Sequence, residues 1–159
     1  MKRVLKILGY ILVIAFIVMQ FFRPEKNDGG YDSFNVFEKE TKVSDEVLSI
    51  LKKNCFDCHT NQTRYPWYAE VAPISYWLND HNLDGKKHFN MSEWNGYSVK
   101  KKSKKMDELI EEVQEGEMPL NSYTWIHGSI TEEEKEILIQ WATMAILNYD
   151  EALKVSINQ

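Results

Sequence analysis

The sequence predicts an all-α protein, a small helical domain standing behind an N-terminal apolar helix. Three observations carry that prediction. A nearly continuous apolar run from Val4 to Phe22 has the length of one long helix. Three later segments, opening near Ser44, Ser98 and Thr131, repeat their apolar residues at helical spacing. Between them nothing reads as a βαβ unit.

With 159 residues the chain has room for one domain and an appendage. Acidic residues outnumber basic ones 24 to 19, and three of the basic ones (Lys2, Arg3, Lys6) precede or enter the first apolar run. The remainder is therefore acidic, which argues against nucleic acid as a partner, since phosphate binding needs a basic footprint. Only two cysteines occur, too few for a disulfide framework.

Residues 1–22 read as an uncleaved signal anchor, a transmembrane helix. A bilayer core takes about 20 apolar residues as helix. Lys6 lies near enough to one end to snorkel, and small-x-small cleavage residues are missing after the run. A basic start that stays inside places the rest on the outer, periplasmic side of a bacterial cytoplasmic membrane, although Arg23 and Lys26 weaken the bias. A cleaved signal peptide is the alternative. Residues 23–43, with Pro24 and Gly29-Gly30 and no periodicity, read as a linker.

The folded domain is expected over 44–149. Ser44 is a helix cap with Asp45 and Glu46 in the first turn, and Val47, Leu48, Leu51 and Cys55 share one face. That helix delivers Cys55-Phe56-Asp57-Cys58-His59. CxxCH is the attachment signature of c-type haem. Each thiol adds across one vinyl group, so both sulfurs must lie on one side of the macrocycle, and a helical turn achieves this. His59 then falls beneath the iron as proximal ligand. Three other readings compete: a thioredoxin-type pair, which expects a βαβ setting; a structural zinc site, which wants a second ligand pair; and a buried pair with no chemistry.

Aromatic residues crowd the next stretch, from Tyr65 and Trp67 through Tyr68, Tyr76 and Trp77. Tyr65 and Trp67 are candidate walls for a flat apolar disc, because aromatic rings bury much area with little rotamer entropy lost. A plain aromatic core is the alternative. Pro73 opens a second helix expected to run through Asn79.

The stretch CxxCH-Thr-Asn-x-Thr-x-Tyr-Pro-Trp-Tyr, then Ala72-Pro73-x-Ser75-x-Trp77-Leu78, His81, Gly85 and Phe89-Asn90-x-Ser92-Glu93-Trp94 resembles the bacterial haem-binding domain family. The likeness extends to Met118-Pro119-Leu120, Tyr123, His127 and Trp141, so it covers about Ser44 to Trp141. It implies a small, usually membrane-anchored protein with one covalent haem.

Met106, Leu109, Ile110 and Val113 define another amphipathic helix, which Gly116 can stop. The lysines at 100–102, 104 and 105 read as its solvated face rather than as a docking patch. Then comes Gly116-Glu117-Met118-Pro119. Pro119 fixes its own φ and biases Met118 towards extended backbone, which suits delivery of a sulfur to a fixed point. A Met-Pro loop before the last helix resembles class I cytochromes c. Met118 is therefore the candidate distal ligand, with His127 and then His81 as alternatives. Met106 and Met144 are expected to pack inside helices.

Thr131-Glu132-Glu133-Glu134 is a capping box. Ile137, Leu138, Trp141 and Ala145 stripe the helix behind it, which is expected to lie across the CxxCH helix, and residues 150–159 read as a frayed tail. The expected function is one-electron transfer by a membrane-tethered monohaem cytochrome c-like protein, with iron in haem c and redox proteins as partners. A haem-based sensor is the second expectation and a haem peroxidase the third, with His127 or His81 as its acid–base residue.

Overall fold

The computed structural model describes residues 1–157, and those residues form helices and turns with no strand. One isolated antiparallel bridge joins Asp28 to Gln62. The fold is all-α, as the periodicities predict.

Helix α1 (Lys2–Met19) buries none of its residues. Among the described residues no helix is long and apolar enough to cross a membrane, so the transmembrane span expected over 1–22 is not found. Charge is the reason. Lys2, Arg3 and Lys6 all fall inside α1, and its uncharged part runs only from Ile7 to Met19, where a spanning helix needs about 20 residues.

The segment 23–43 is not a linker but part of the domain. The Asn27 backbone N–H donates to the Tyr65 hydroxyl at 2.7 Å, and the Asn27 side-chain amide reaches the Thr60 carbonyl and Thr63 Oγ1, each at 2.9 Å. A 3-10 turn (Asp32–Phe34) and helix α2 (Asn35–Thr41) then place Phe34 and Phe37 in the core. Two phenylalanines three residues apart share a helix face. The polar residues around them hid that signal in the sequence. Lys42, at φ 53°, ends α2 in the left-handed conformation.

Helix α3 (Asp45–Asn54) starts as its cap predicts, the Ser44 hydroxyl accepting from the Val47 N–H at 3.2 Å. It buries Val47, Ile50 and Leu51 and passes at Cys55 into the single turn of α4 (Phe56–His59). Helix α5 (Ile74–His88) continues nine residues beyond Asn79. Its Asn-Asp-His-Asn stretch offers no apolar stripe, and buried Asn82 instead donates its side-chain amide to Thr63 Oγ1 at 3.1 Å. A tertiary hydrogen bond thus carries this helix through polar sequence.

Helix α6 (Val99–Glu115) ends on Gly116, whose φ of 77° is the left-handed cap that favours glycine. An unexpected short helix, α7 (Asn121–His127), has no buried residue. Helix α8 (Glu132–Ile157) opens with the predicted reciprocal box, the Thr131 N–H donating to Glu134 at 2.8 Å and the Glu134 N–H to Thr131 Oγ1 at 3.1 Å. It does not fray at 150: the Asp150 carboxylate accepts from the Ser103 hydroxyl at 3.1 Å, and helix persists to Ile157. Asn158 and Gln159 of the expected tail lie outside the described residues.

Helix α8 packs chiefly along α6 and also touches α3. Phe37, Met91, Trp94, Met106 and Leu138 are essentially inaccessible in the core they share. Phe37 meets Trp94 edge-on at 4.9 Å between ring centroids. Polar ends are satisfied: Trp94 Nε1 donates to the Tyr149 hydroxyl at 3.0 Å and Trp141 Nε1 to the Thr41 carbonyl at 2.9 Å. Two helix-face expectations change. Lys102 is buried, its ammonium 2.7 Å from Glu40 of α2, so the lysine run is not wholly solvated. Met144 is exposed on the outer side of α8 rather than packed.

Candidate cofactor cavity

A cavity of about 820 Å³ opens between α4, α5, the C-terminal half of α6 and the loop after it. That is within the usual range of roughly 300–1,000 Å³ for ligand pockets. Cys55, Cys58, His59, Met118, Pro119 and His81 all line it. Tyr65, Trp67 and His127, expected at the cofactor, do not. Tyr65 is spent on the Asn27 N–H and lies under the Lys26 ammonium, 5.2 Å from its ring centroid. Trp67 is 80% exposed. His127 stacks on Tyr123 at 4.2 Å and shares a hydrogen bond of 2.8 Å with the Tyr68 hydroxyl.

The cysteines are held by one turn of backbone. The Cys58 and His59 N–H groups both donate to the Cys55 carbonyl, at 3.3 and 3.0 Å, which sets both sulfurs on one cavity wall. Helix α5 lies directly on that turn because residue 85 is glycine. A Cβ there would stand 2.7 Å from the Cys58 carbonyl oxygen and 3.1 Å from its Cβ, closer than backbone allows. Gly85 thus lets α5 pack on α4 and form the adjoining wall.

His59 Nδ1 sits 2.8 Å from the Phe89 carbonyl oxygen. A carbonyl only accepts, so Nδ1 carries the proton and Nε2 keeps its lone pair for a metal. Burial lowers the pKa of His59 further, against the Phe89 and Gly85 backbone bonds, and neutral imidazole is the ligating form. On the far side of α6 the Glu117 and Met118 N–H groups both return to the Glu112 carbonyl, at 3.0 and 3.1 Å, and fix the loop that brings Met118 to the cavity.

The thiols lack the βαβ setting of a thioredoxin-type pair, since no strand occurs among the described residues. Burial, with the neighbouring Cys58, pushes Cys55 up to about 12; burial, with Asp57, pushes Cys58 up to about 11. Thioredoxin-type cysteines need the opposite, a depressed pKa. A zinc site also lacks its second half, since among the described residues no three His, Cys, Asp or Glu side chains converge to hold a metal ion.

Beside the cysteines lies a polar brace that the sequence did not single out. Asp57, only 5% exposed, accepts from the Arg64 N–H at 3.0 Å and from Arg64 Nε and a terminal nitrogen at 3.1 and 2.9 Å. The oxygen that takes the Arg64 terminal nitrogen also accepts from the Tyr123 hydroxyl at 2.9 Å. Burial and the Asp57 charge raise the pKa of Tyr123, so the phenol stays protonated and donates. An acid inside CxxCH followed by an arginine seven residues on was the available signal. His88, at the end of α5, also lines the cavity, as do Asp80, Asp84, Glu108, Glu112 and Lys105.

Two thiols, an imidazole whose Nε2 is free and a thioether loop around one mostly apolar hollow define a helical cofactor-binding domain. The cavity of about 820 Å³ and its soft and imidazole donors suit a large planar iron macrocycle. The haem-binding domain family matches residues 14–144, and the chain belongs to that family. No curated protein and no solved structure matches the chain.

Proposed function

We propose that this haem-binding chain carries one covalent haem c and passes single electrons, held by α1 at the outer face of a bacterial membrane. The observation that carries the reading is the meeting of Cys55, Cys58, His59 and Met118 in one cavity. Cys55 and Cys58 would hold the macrocycle, and His59 and Met118 the iron. Haem bound there would supply a one-electron couple, and a thioether donor together with imidazole would favour the ferrous side of it. The chain's own part is to keep His59 neutral and oriented through Phe89, to fix Met118 through Glu112, and to wall the group from water.

Membrane attachment rests on α1, which exposes the apolar run Ile7 to Met19 with nothing of the domain covering it. Redox proteins outside the cytoplasm are the partners this reading implies.

Visible spectra of the ferric and ferrous protein test it. Wild-type ferrous protein is expected to resist carbon monoxide, and Met118→Ala to bind it at once and lose the weak far-red ferric band. Haem that survives acid–acetone extraction is expected in wild type and is reduced or lost in Cys55→Ser and Cys58→Ser. Rapid carbon monoxide binding by wild type would replace the carrier with a sensor. Opening by His81→Ala alone would move the distal ligand to α5.

A further inference from the structure

The root of α1 is bolted to the domain, and large apolar side chains stand exposed around the joint. Gln20, the residue after α1, exchanges two hydrogen bonds with Ala72: its amide nitrogen donates to the Ala72 carbonyl at 3.2 Å and its oxygen accepts the Ala72 N–H at 3.0 Å. Arg23 reaches Glu70 at 3.2 Å, Lys26 pairs with the same carboxylate, and the Tyr76 hydroxyl donates to the Phe22 carbonyl. Contacts of this kind make a stiff neck rather than a tether.

Phe21 and Phe22 on the chain side of this joint are 81% and 66% exposed. On the domain side Trp67 is 80% exposed, and Ile74 and Trp77, which share a face of α5 three residues apart, are 38% and 45% exposed. Monomeric proteins rarely leave such a concentration of large apolar groups in water.

We propose that Trp67, Ile74 and Trp77, with Phe21 and Phe22, form a collar that seats the domain in the interfacial zone of a lipid bilayer. This rests on the reading of α1 as the membrane attachment and deepens it. Three features choose lipid over a protein partner. The collar is continuous with α1, an 18-residue helix that buries none of its residues and exposes an apolar run. Its composition, tryptophan with flanking Arg23 and Lys26, is that of residues at the headgroup level, where an apolar body and a polar edge are both satisfied. And the acids of α5, Asp80 and Asp84, begin just beyond Trp77, on the stretch that lines the cavity. Along α5 roughly 16 Å separates Ile74 from Gly85. A domain seated on its collar therefore holds the cavity at a set distance from the lipid, where a tethered one would tumble.

The test uses the full-length ferrous holoprotein labelled with fluorotryptophan, in nanodiscs of phosphatidylcholine and phosphatidylglycerol, some carrying a gadolinium chelate on the headgroup. Trp67 and Trp77 resonances are assigned with Trp67→Phe and Trp77→Phe. Expected is loss of both signals to broadening when gadolinium lipid is present, while those of buried Trp94 and Trp141 persist. Membrane-bound protein whose Trp67 and Trp77 signals survive would overturn the collar and leave α1 as a bare tether, with the exposed face then open to a protein. Protein that fails to co-purify with the discs would overturn the attachment reading itself, and the collar with it.

Discussion

Phe37, Trp94, Met91 and Met106 close the α6–α8 side of the domain, with no water-accessible surface and with ring edges on ring faces. Across α4 the other side is hollow, a cavity of about 820 Å³ with Gly85 on its wall, where a larger residue would strike the Cys58 backbone. The same short turn serves both: Phe56 packs against Phe34 at 4.7 Å on the closed side, while Cys55, Cys58 and His59 line the open one. The closed side draws its stability from its own side chains, and the open side keeps its shape for a group the chain does not encode. A mutation should therefore report which side it belongs to.

Removing the centre of the closed side should have the largest effect. Trp94→Ala, at a fully buried ring that also loses its bond to Tyr149, is expected to cost about 3–5 kcal/mol of global stability in urea unfolding. An equal loss confined to haem retention would break the comparison. Next comes Gly85→Ala. Its methyl meets the Cys58 carbonyl, which cannot move without unwinding α4, and overpacking of this kind costs about 1–3 kcal/mol. Haem stoichiometry after maturation should fall while Trp94 fluorescence in the apoprotein keeps its native, buried character. Smaller again is Thr131→Ala, which removes one half of the capping box on α8 and should cost about 1 kcal/mol, read as a lower urea midpoint with unchanged haem content.

The smallest effect is a pH dependence. The Thr131 N–H and the Lys53 ammonium hold Glu134 below its ordinary value, despite some burial. A lowered carboxylate contributes stability that is complete above its unfolded pKa and is lost as pH falls through the folded one. Wild type should therefore lose more stability than Glu134→Gln when acidified below the ordinary carboxylate range, in paired urea titrations. Equal slopes would show that Glu134 acts by its hydrogen bond alone.

The brace beside the cysteines belongs to both sides. Arg64 and Tyr123 converge on one oxygen of Asp57, and the single Tyr123 hydroxyl proton is shared between that oxygen and the Lys53 carbonyl of α3, each at 2.9 Å. The Asp57 carboxylate thus ties the turn that carries the thiols to the helix that anchors it in the core. Charge-assisted bonds of this kind are shorter and stronger than neutral ones. Their place next to the cysteines lets one brace stiffen both the cavity wall and its junction with the core.

What the sequence determined by itself lies within a few residues along the chain. CxxCH needs one turn, the caps at Ser44 and Thr131 need a side chain three residues from an amide, and the stop at Gly116 needs one residue able to take positive φ. Backbone hydrogen bonding within a helix fixes those distances before anything else folds. Only the tertiary structure decided the rest. It drew 23–43 into the core through Phe34 and Phe37, and it turned Trp67 out to solvent while bringing His81 and His88 to the cavity. It also showed Lys102 to be a buried partner of Glu40, 62 residues away. Those outcomes depend on which distant surfaces meet, and the apolar or polar character of a single residue cannot specify its partner across that much chain.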